Sequence, residues 1–399
     1  MNIGIFTDTF FPQISGVATS TRMLERELSR LGHRVFIFTT SDPDVEYSVP
    51  RVFRLPSMPV VFIPARRITF MYPPKLIIKM KSLDLDVIHT QTEFPLGVFG
   101  KLVSEFYNLP MVHTYHTMYE DYLHYVGNGH LLTPKMAQSY SRFFCNRADI
   151  VIAPVQKTRD YLIEIGVSRP IKVVPTGLDF SHFNRDKQNA SETSELKKAL
   201  GIDPSSPVIV SVGRIAKEKS VDVLIRQMPK LLARLPEAKL VIVGDGPKLA
   251  DCQSLAQTLG VDGSVVFTGA KPWEIIPLYY QLGDIFATAS TSETQGLTYI
   301  EAMAGRVPVA AKRDRSSEGV LTDGKTGYVF ENDEEAADVF YRALTRRDEA
   351  RGFAENGLKA ITGLSSAQFG KNAESIYTEA VSKYSARRRR RRNTGLRGE

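Results

Sequence analysis

Pro207-Val-Ile-Val-Ser-Val-Gly-Arg-Ile-Ala-Lys-Glu-Lys219 restarts, halfway along the chain, a pattern that the first forty residues have already used. Near the N-terminus Asn2-Ile-Gly-Ile-Phe-Thr7 is an apolar run and residues 17–31 follow helical spacing. Arg34-Val-Phe-Ile-Phe-Thr39 is a second run behind the turn Gly32-His33. Strand, helix, strand in that order predicts a βαβ unit. Further strands are expected at 86–89, 111–114, 149–152 and 171–174. After the restart at 207–213 the same alternation predicts a helix over 219–234, a strand over 239–244, a helix over 247–259 and strands at 264–268 and 284–287. These runs are apolar without alternation, as strands covered on both faces are. The chain is therefore expected to be α/β, with two Rossmann-like domains, 1–175 and 207–365, facing a cleft. The polar stretch 176–206 reads as their linker, 366–386 as a helix crossing back to the first domain, and 387–399 as a basic tail.

Composition agrees with two globular domains: 399 residues, 43% hydrophobic and 24% charged. The two cysteines, Cys145 and Cys252, have no metal-ligand neighbours and suit a reducing, cytoplasmic setting with both thiols buried. The N-terminus lacks the basic flank and apolar stretch of a signal peptide, and no apolar run approaches the ~18 residues of a membrane span. Charge is uneven. Arg51 to Ser82 holds seven basic residues and no acid, and Lys383 to Glu399 holds eight basic residues and one acid. Each stretch contributes +7 to a chain whose total is +7, so the remainder is acidic by the same amount. Blocks of one sign mark a partner.

Between Pro64 and Ser82 the cations Arg66, Arg67, Lys75, Lys79 and Lys81 are interleaved with Phe70, Tyr72 and aliphatic residues. Two readings stand: a surface lying among anionic lipid headgroups, or a partly buried helix with a solvated basic edge. The run Arg387 to Arg392 would bind nearly any polyanion, or serve only as a solubility tail.

Anion chemistry is visible at three loops. Gly16 closes the loop after the first strand at a helix N-terminus, where an anion can approach the backbone, though an ordinary turn glycine would look the same. No G-x-G-x-x-G is present there, which argues against a dinucleotide site of the usual form. Arg214 and Lys219 place a guanidinium and an ammonium on one short loop at a strand end, as a phosphate seat or a solvated basic loop would. In Ser290-Thr-Ser-Glu-Thr-Gln-Gly-Leu-Thr-Tyr-Ile-Glu301, one carboxylate precedes a helix and the other lies one turn inside it. Glu301 there suits a ribose diol; the alternative makes Glu293 a cap and Glu301 a solvated side chain.

The ordered set of Gly16 in a long first loop, Gly213-Arg214 with Lys219, Val243-Gly-Asp-Gly-Pro247 and Glu293-x7-Glu301 resembles the retaining glycosyltransferases of the GT-B fold, family 4 type, up to about residue 385. Within them, Thr114-Tyr-His-Thr-Met-Tyr-Glu-Asp-Tyr122 and Thr291-Ser-Glu-Thr-Gln-Gly-Leu-Thr-Tyr299 are similar to the bacterial monoglucosyldiacylglycerol synthases. The resemblance implies that Arg214 and Lys219, with the Gly16 backbone, neutralise a leaving diphosphate. It implies that Glu301 takes the ribose and Glu293 the sugar hydroxyls. Thr294, Gln295, Gly296 and Leu297 would lend backbone donors, His116 would face the transferred sugar, and Gly269 and Lys271 would edge the base. Tyr119 and Tyr122, with the basic segment, would meet the acceptor.

The implied reaction is transfer of glucose from UDP-glucose to diacylglycerol with retention, by a peripheral protein on the cytoplasmic face of an anionic membrane. Cations aimed at the departing diphosphate lower the barrier without a metal or other cofactor. Asp84-Leu-Asp86 has the letters of a metal-binding Asp-x-Asp but opens a strand far from these loops. A soluble sugar transferase would explain the loops alone. A nucleic-acid-binding protein would explain only the arginine run, and no specific nucleic acid is expected of a site containing Glu293 and Glu301. Ala304-Gly305-Arg306-Val-Pro308, followed by the charged Lys312-Arg-Asp-Arg315, departs from the family pattern, and the charged stretch reads as a second basic rim or a solvated loop. Oligomeric state is not legible.

Overall fold

A computed structural model describes residues 1–13, 15–43, 45, 49–60, 67–120, 123, 133–184 and 190–395, with side chains to residue 387 except those of 74 and 190. The chain divides into two compact units, Met1–Gly177 with Ser366–Glu399, and Leu178–Ser365.

In the first unit seven strands form one parallel sheet: β1 (Asn2–Phe6), β2 (Arg34–Thr40), β3 (Val52–Leu55), β6 (Val87–Thr90), β7 (Met111–Thr114), β8 (Ile150–Ala153) and β9 (Ile171–Val173), in the order 3-2-1-6-7-8-9. The strands β4 (Ser57–Pro59) and β5 (Arg67–Thr69) pair antiparallel as a separate hairpin. The helices are α1 (Gly16–Arg30), α2 (Pro74–Lys81), α3 (Pro95–Tyr107), α4 (Pro134–Cys145) and α5 (Gln156–Glu164). Aromatic residues fill this core: the Phe38 ring stacks on Phe6 at 4.5 Å and on Phe53 at 5.0 Å. The C-terminal helix, Ser366–Gly395, packs into the same unit through Phe369, Ala373, Ile376, Tyr377 and Ala380. Ser366 Oγ donates to Glu27 Oε1 at 2.9 Å, and the His33 Nε2 and Glu374 Oε1 atoms are 2.9 Å apart. The helix extends beyond the expected residue 386, so the arginine run continues it rather than beginning a tail.

The second unit repeats the plan. Strands β10 (Val208–Val212), β11 (Lys239–Val243), β12 (Val265–Phe267), β13 (Ile285–Thr288), β14 (Val309–Lys312) and β15 (Tyr328–Phe330) form a parallel sheet in the order 12-11-10-13-14-15. Its helices are α6 (Phe180–Phe183), α7 (Ala190–Ala199), α8 (Val221–Leu232), α9 (Leu249–Thr258), α10 (Ile276–Leu282), α11 (Leu297–Ala304), α12 (Ala336–Thr345) and α13 (Arg347–Ala360). The apolar runs of β10 and β11 face two cores. Ile209, Leu240 and Ile242 enter one core, while Val208, Val210, Val241 and Val243 enter another on the opposite face.

The stretch 176–206 is no linker. It carries α6 and α7, and its buried Phe183 and Ile202 join the second core with Leu178. Polar composition hid these anchors. Both cysteines are buried free thiols, in separate units, and burial pushes the Cys252 thiol up to about 11.

Candidate active site

Strand order locates the crevices. In an open parallel sheet, ligands bind beyond the carboxyl ends of strands where the order reverses, because the loops from the two strands there leave toward opposite faces. In the second unit that point lies between β10 and β13, which pair in parallel. The loops after these two strands carry Arg214 with Lys219, and Glu293.

One pocket is lined by Gly213, Arg214, Lys219, Glu293 and Thr298, among others. Lys219 Nζ lies 2.5 Å from Glu293 Oε1, with the two side chains 27% and 14% exposed. An Arg214 guanidinium nitrogen lies 3.3 Å from Glu218 Oε1, whose side chain is 3% exposed. Glu218 is a residue that sequence reasoning missed, because an acid inside a basic loop looks like a solvated one. Its backbone carbonyl also accepts from Ser292 Oγ at 2.9 Å and Ser290 Oγ at 3.3 Å, fastening the two loops together.

Glycine makes the neighbouring loops fit. A Cβ on Gly244, where φ is +151°, would sit 1.8 Å from the Gly213 carbonyl oxygen. The chains there run side by side: Gly213 N donates to Val243 O at 2.9 Å, Ile215 N to Asp245 O at 2.9 Å, and Gly244 N to Gly269 O at 3.0 Å. Thus Gly269 is tied to the loop of Arg214 through one intervening loop. The Lys271 ammonium lies 5.9 Å from the centre of the Tyr279 ring.

Gly296 starts α11 with φ +67°, and a Cβ there would meet the Tyr299 ring at 1.8 Å. Thr294 and the buried Gln295 precede it, and Leu297 is the first helical residue. Glu301 is half-buried on α11 and accepts from the Tyr280 hydroxyl at 2.7 Å. Burial pushes its carboxyl up to about 7, against the lowering effect of that hydrogen bond. Glu301 is thus a held acceptor rather than a solvated side chain.

The first unit holds Gly16 and His116. Gly16 is the first residue of α1, whose N-cap Ser15 accepts from Ala18 N at 3.2 Å. His116 follows β7 and donates from Nε2 to Gln91 Oε1 at 2.7 Å. Burial, with His113 adding, lowers its pKa to about 3, so the ring is neutral and offers hydrogen bonding without charge.

Behind His116 lies a polar network that the sequence did not disclose. Gln91 Nε2 lies 3.1 Å from His89 Nδ1, and that nitrogen is 2.7 Å from the Tyr377 hydroxyl of the C-terminal helix. Asp8 is buried; its carboxylate accepts from Thr92 Oγ1 at 2.6 Å and Leu96 N at 3.2 Å, while burial pushes it up to about 6. The polar run His89-Thr-Gln-Thr-Glu93, which begins inside β6, was the available signal. It leaves β6 beside β1, at the order reversal of the first sheet.

The expected acceptor residues divide. Phe70, Lys75, Lys79 and Lys81 are exposed. Arg67 instead braces the hairpin, donating from Nε to Ser57 Oγ and from a terminal nitrogen to Ser57 O, both at 2.9 Å. Tyr72 stacks on Phe99 at 4.4 Å and donates to Pro95 O at 2.8 Å. Tyr119 donates to the Glu93 carboxylate. Arg66 and Tyr122 lie outside the described residues. Lys312, Arg313 and Arg315 pair with Asp333, Glu331 and Glu318, which makes that stretch a charge-balanced loop rather than a basic rim. Among the described residues no helix is long and apolar enough to cross a membrane.

Comparisons with known proteins agree with this geometry. Residues 14–182 match the model of Glycosyltransferase Family 4, and residues 192–360 that of Glycosyl transferases group 1. The alpha-monoglucosyldiacylglycerol synthase of Streptococcus pneumoniae is 38% identical over 382 residues, 96% of this chain and 86% of its own. That of Acholeplasma laidlawii is 31% identical over 399 residues, covering 96% and 98%. Among solved structures, Anabaena Alr3699/HepE in complex with UDP and glucose superposes with a TM-score of 0.78 at 18% identity, covering 94% of this chain and 99% of that one. Two parallel α/β units, a cationic loop at the order reversal of the second sheet and relatives along nearly the whole chain converge: this protein belongs to the family 4 glycosyltransferases, with the GT-B fold.

Proposed function

We propose that this glycosyltransferase moves glucose from UDP-glucose to 1,2-diacylglycerol with retention, giving alpha-monoglucosyldiacylglycerol at a membrane surface. The observation that carries the reading is the pocket in which Arg214 and Lys219 converge with Glu293 at the end of β10. Breaking a glycosyl–phosphate bond leaves an oxocarbenium-like sugar and adds negative charge to the diphosphate. Two fixed cations beside that diphosphate stabilise the charge as it develops, without a metal. Glu293 takes sugar hydroxyls and Glu301 the ribose diol, while α11's first backbone N–H groups face the anion. The neutral His116 contributes a hydrogen bond to the sugar. Relatives named as alpha-monoglucosyldiacylglycerol synthases support the acceptor, and a structural neighbour solved with UDP and glucose supports the choice of donor.

The test is transfer of label from UDP-glucose, UDP-galactose or GDP-mannose to diacylglycerol in mixed micelles, with and without chelator, followed by NMR of the product's anomeric centre. An α-glucosyl lipid formed from UDP-glucose in chelator is expected. A β product would sink retention, and transfer only to water-soluble acceptors would sink the lipid assignment.

A further inference from the structure

The C-terminal helix gives Phe369, Ala373, Ile376 and Ala380 to the packing of the first unit, and among them Tyr377 is fully buried with its hydroxyl. Its ring meets His89 edge-on, with centroids 5.5 Å apart, and the hydroxyl lies 2.7 Å from His89 Nδ1. Pairs on either side of Tyr377 hold the helix in register: His33 with Glu374 at 2.9 Å, and Lys172 with Glu379 at 3.2 Å. A phenol buried this deeply costs stability unless its hydrogen has an acceptor.

The protons along this contact can be placed one at a time. Burial raises the pKa of the Tyr377 phenol, so the hydroxyl keeps its hydrogen. Among the described residues His89 is its one hydrogen-bond partner, so it donates to Nδ1. Burial, with His113 and His116 adding, lowers the His89 pKa well below 6.5, and the ring is neutral. Its single proton therefore sits on Nε2, which donates to Thr114 Oγ1 at 2.7 Å. The Gln91 amide nitrogen lies 3.1 Å from His89 Nδ1 and 3.2 Å from Nε2. A ring whose proton is already given to Thr114 has no donor for an amide oxygen. Gln91 consequently turns its nitrogen to His89 and its oxygen to His116. That oxygen can only accept, so His116 Nε2, 2.7 Å away, carries the proton of a neutral ring and Nδ1 carries the lone pair.

We propose that Tyr377 is a positioning residue for sugar transfer: through His89 and Gln91 its hydroxyl fixes the tautomer of His116, so that His116 Nδ1 accepts from a hydroxyl of the transferred sugar. With the amide reversed, Nδ1 would carry the hydrogen and meet that hydroxyl as a donor. The inference rests on the proposed function for the contact between His116 and the sugar.

The experiment combines initial rates of transfer from UDP-glucose to diacylglycerol in mixed micelles with nitrogen-15 NMR of the histidine rings of the full chain. The His116 signals are assigned through His116→Ala. Tyr377→Phe keeps the ring and removes the hydroxyl; it is expected to lower kcat about three- to tenfold with KM for UDP-glucose unchanged. Added to Gln91→Leu or to His116→Ala it should lower kcat no further, because members of one hydrogen-bond chain do not act additively. The wild type should show His116 protonated at Nε2, and Tyr377→Phe should populate the Nδ1-protonated form. Ile376→Val, at the neighbouring buried position, is the packing control and should lower the melting temperature while leaving kcat as it is. Wild-type kcat in Tyr377→Phe, or losses that multiply in the double variants, would overturn the proposal. So would His116 protonated at Nδ1 in the wild type, or a His116 tautomer unchanged in Tyr377→Phe. No transfer to diacylglycerol by the wild type would instead sink the proposed function, and wild-type turnover by His116→Ala would sink its sugar contact; the ring-nitrogen signals decide the hydrogen-bond chain in either case.

Discussion

Replacing Glu301 with glutamine is expected to stabilise the protein at alkaline pH and to weaken its hold on UDP. Burial moves this carboxyl from 4.5 to about 7, with the Tyr280 hydroxyl opposing the shift. That interval corresponds to about 3 kcal/mol. The folded pKa lies above the unfolded one, so folding favours the protonated form. This contribution to stability is fully present below 4.5 and is lost as pH rises through about 7. Above that the folded chain carries a poorly solvated anion. Part of Glu301 meets water, and screening lowers the recoverable amount to about 2 kcal/mol. An amide keeps a partner for Tyr280 and carries no charge to bury.

Thermal melting without nucleotide should therefore rise by roughly 5 °C for Glu301→Gln at about pH 8 and differ little at about pH 5. Calorimetric titration with UDP at the higher pH should show the opposite sign. Loss of a charged acceptor for the ribose diol costs about 1.5–3 kcal/mol, or roughly ten- to a hundredfold in affinity. A variant no more stable than wild type at the higher pH would refute the burial argument. Unchanged UDP affinity would refute the ribose assignment, and the two measurements fail independently.

Lys219→Ala is expected to lower turnover by about 10²–10³-fold with little change in secondary structure, read by circular dichroism and initial rates. Arg214→Ala should do the same but also remove a cation beside the nearly buried Glu218 and lower the melting temperature; adding Glu218→Gln should restore the melting temperature without restoring turnover. Gly296→Ala should cost about 3 kcal/mol or more in thermal melting, because the new Cβ meets the ring of Tyr299, whose hydroxyl is already 2.7 Å from Ser316 Oγ. Gln91→Leu should slow turnover about tenfold while leaving UDP affinity unchanged, since it removes a hydrogen-bond partner of His116 and leaves the loops of Arg214 and Glu293 as they are; weakened UDP binding would place Gln91 elsewhere in the mechanism.

Long apolar strands such as β1, β2, β10 and β11 were legible, because burial on both faces leaves uninterrupted runs. Strands β3 and β14 were not: β3 lies in the basic block Arg51 to Ser82 and β14 ends in the charged stretch from Lys312, and both blocks were read for their charge. The pocket in the second unit was legible because each half lies within a few residues of a strand end. Asp8 and Thr92 share a hydrogen bond although 84 positions apart, and only the pairing of β1 with β6 brings them together. Arg67 and Tyr72 looked like membrane residues because sequence gives residue type and not direction; their partners Ser57 and Pro95 turn them inward.

The electrostatics of the second unit's pocket follow from pairing rather than from net charge. Arg214 and Lys219 stand beside Glu218 and Glu293, so two cations are balanced by two carboxylates, yet the pairs are not equivalent. Glu218 is nearly buried and its backbone carbonyl is bonded to both serines of the opposite loop, so it holds Arg214 in place as a fixed part of the frame. Glu293 is more accessible and meets an ammonium, a point charge whose partners can be shared. On the proposed function, a diphosphate draws on Lys219 while Glu293 turns toward sugar hydroxyls, and Arg214 stays where it is. Fixed charge of that kind stabilises a departing anion without reorganising at the moment of bond breaking, which is the condition under which it lowers a barrier most.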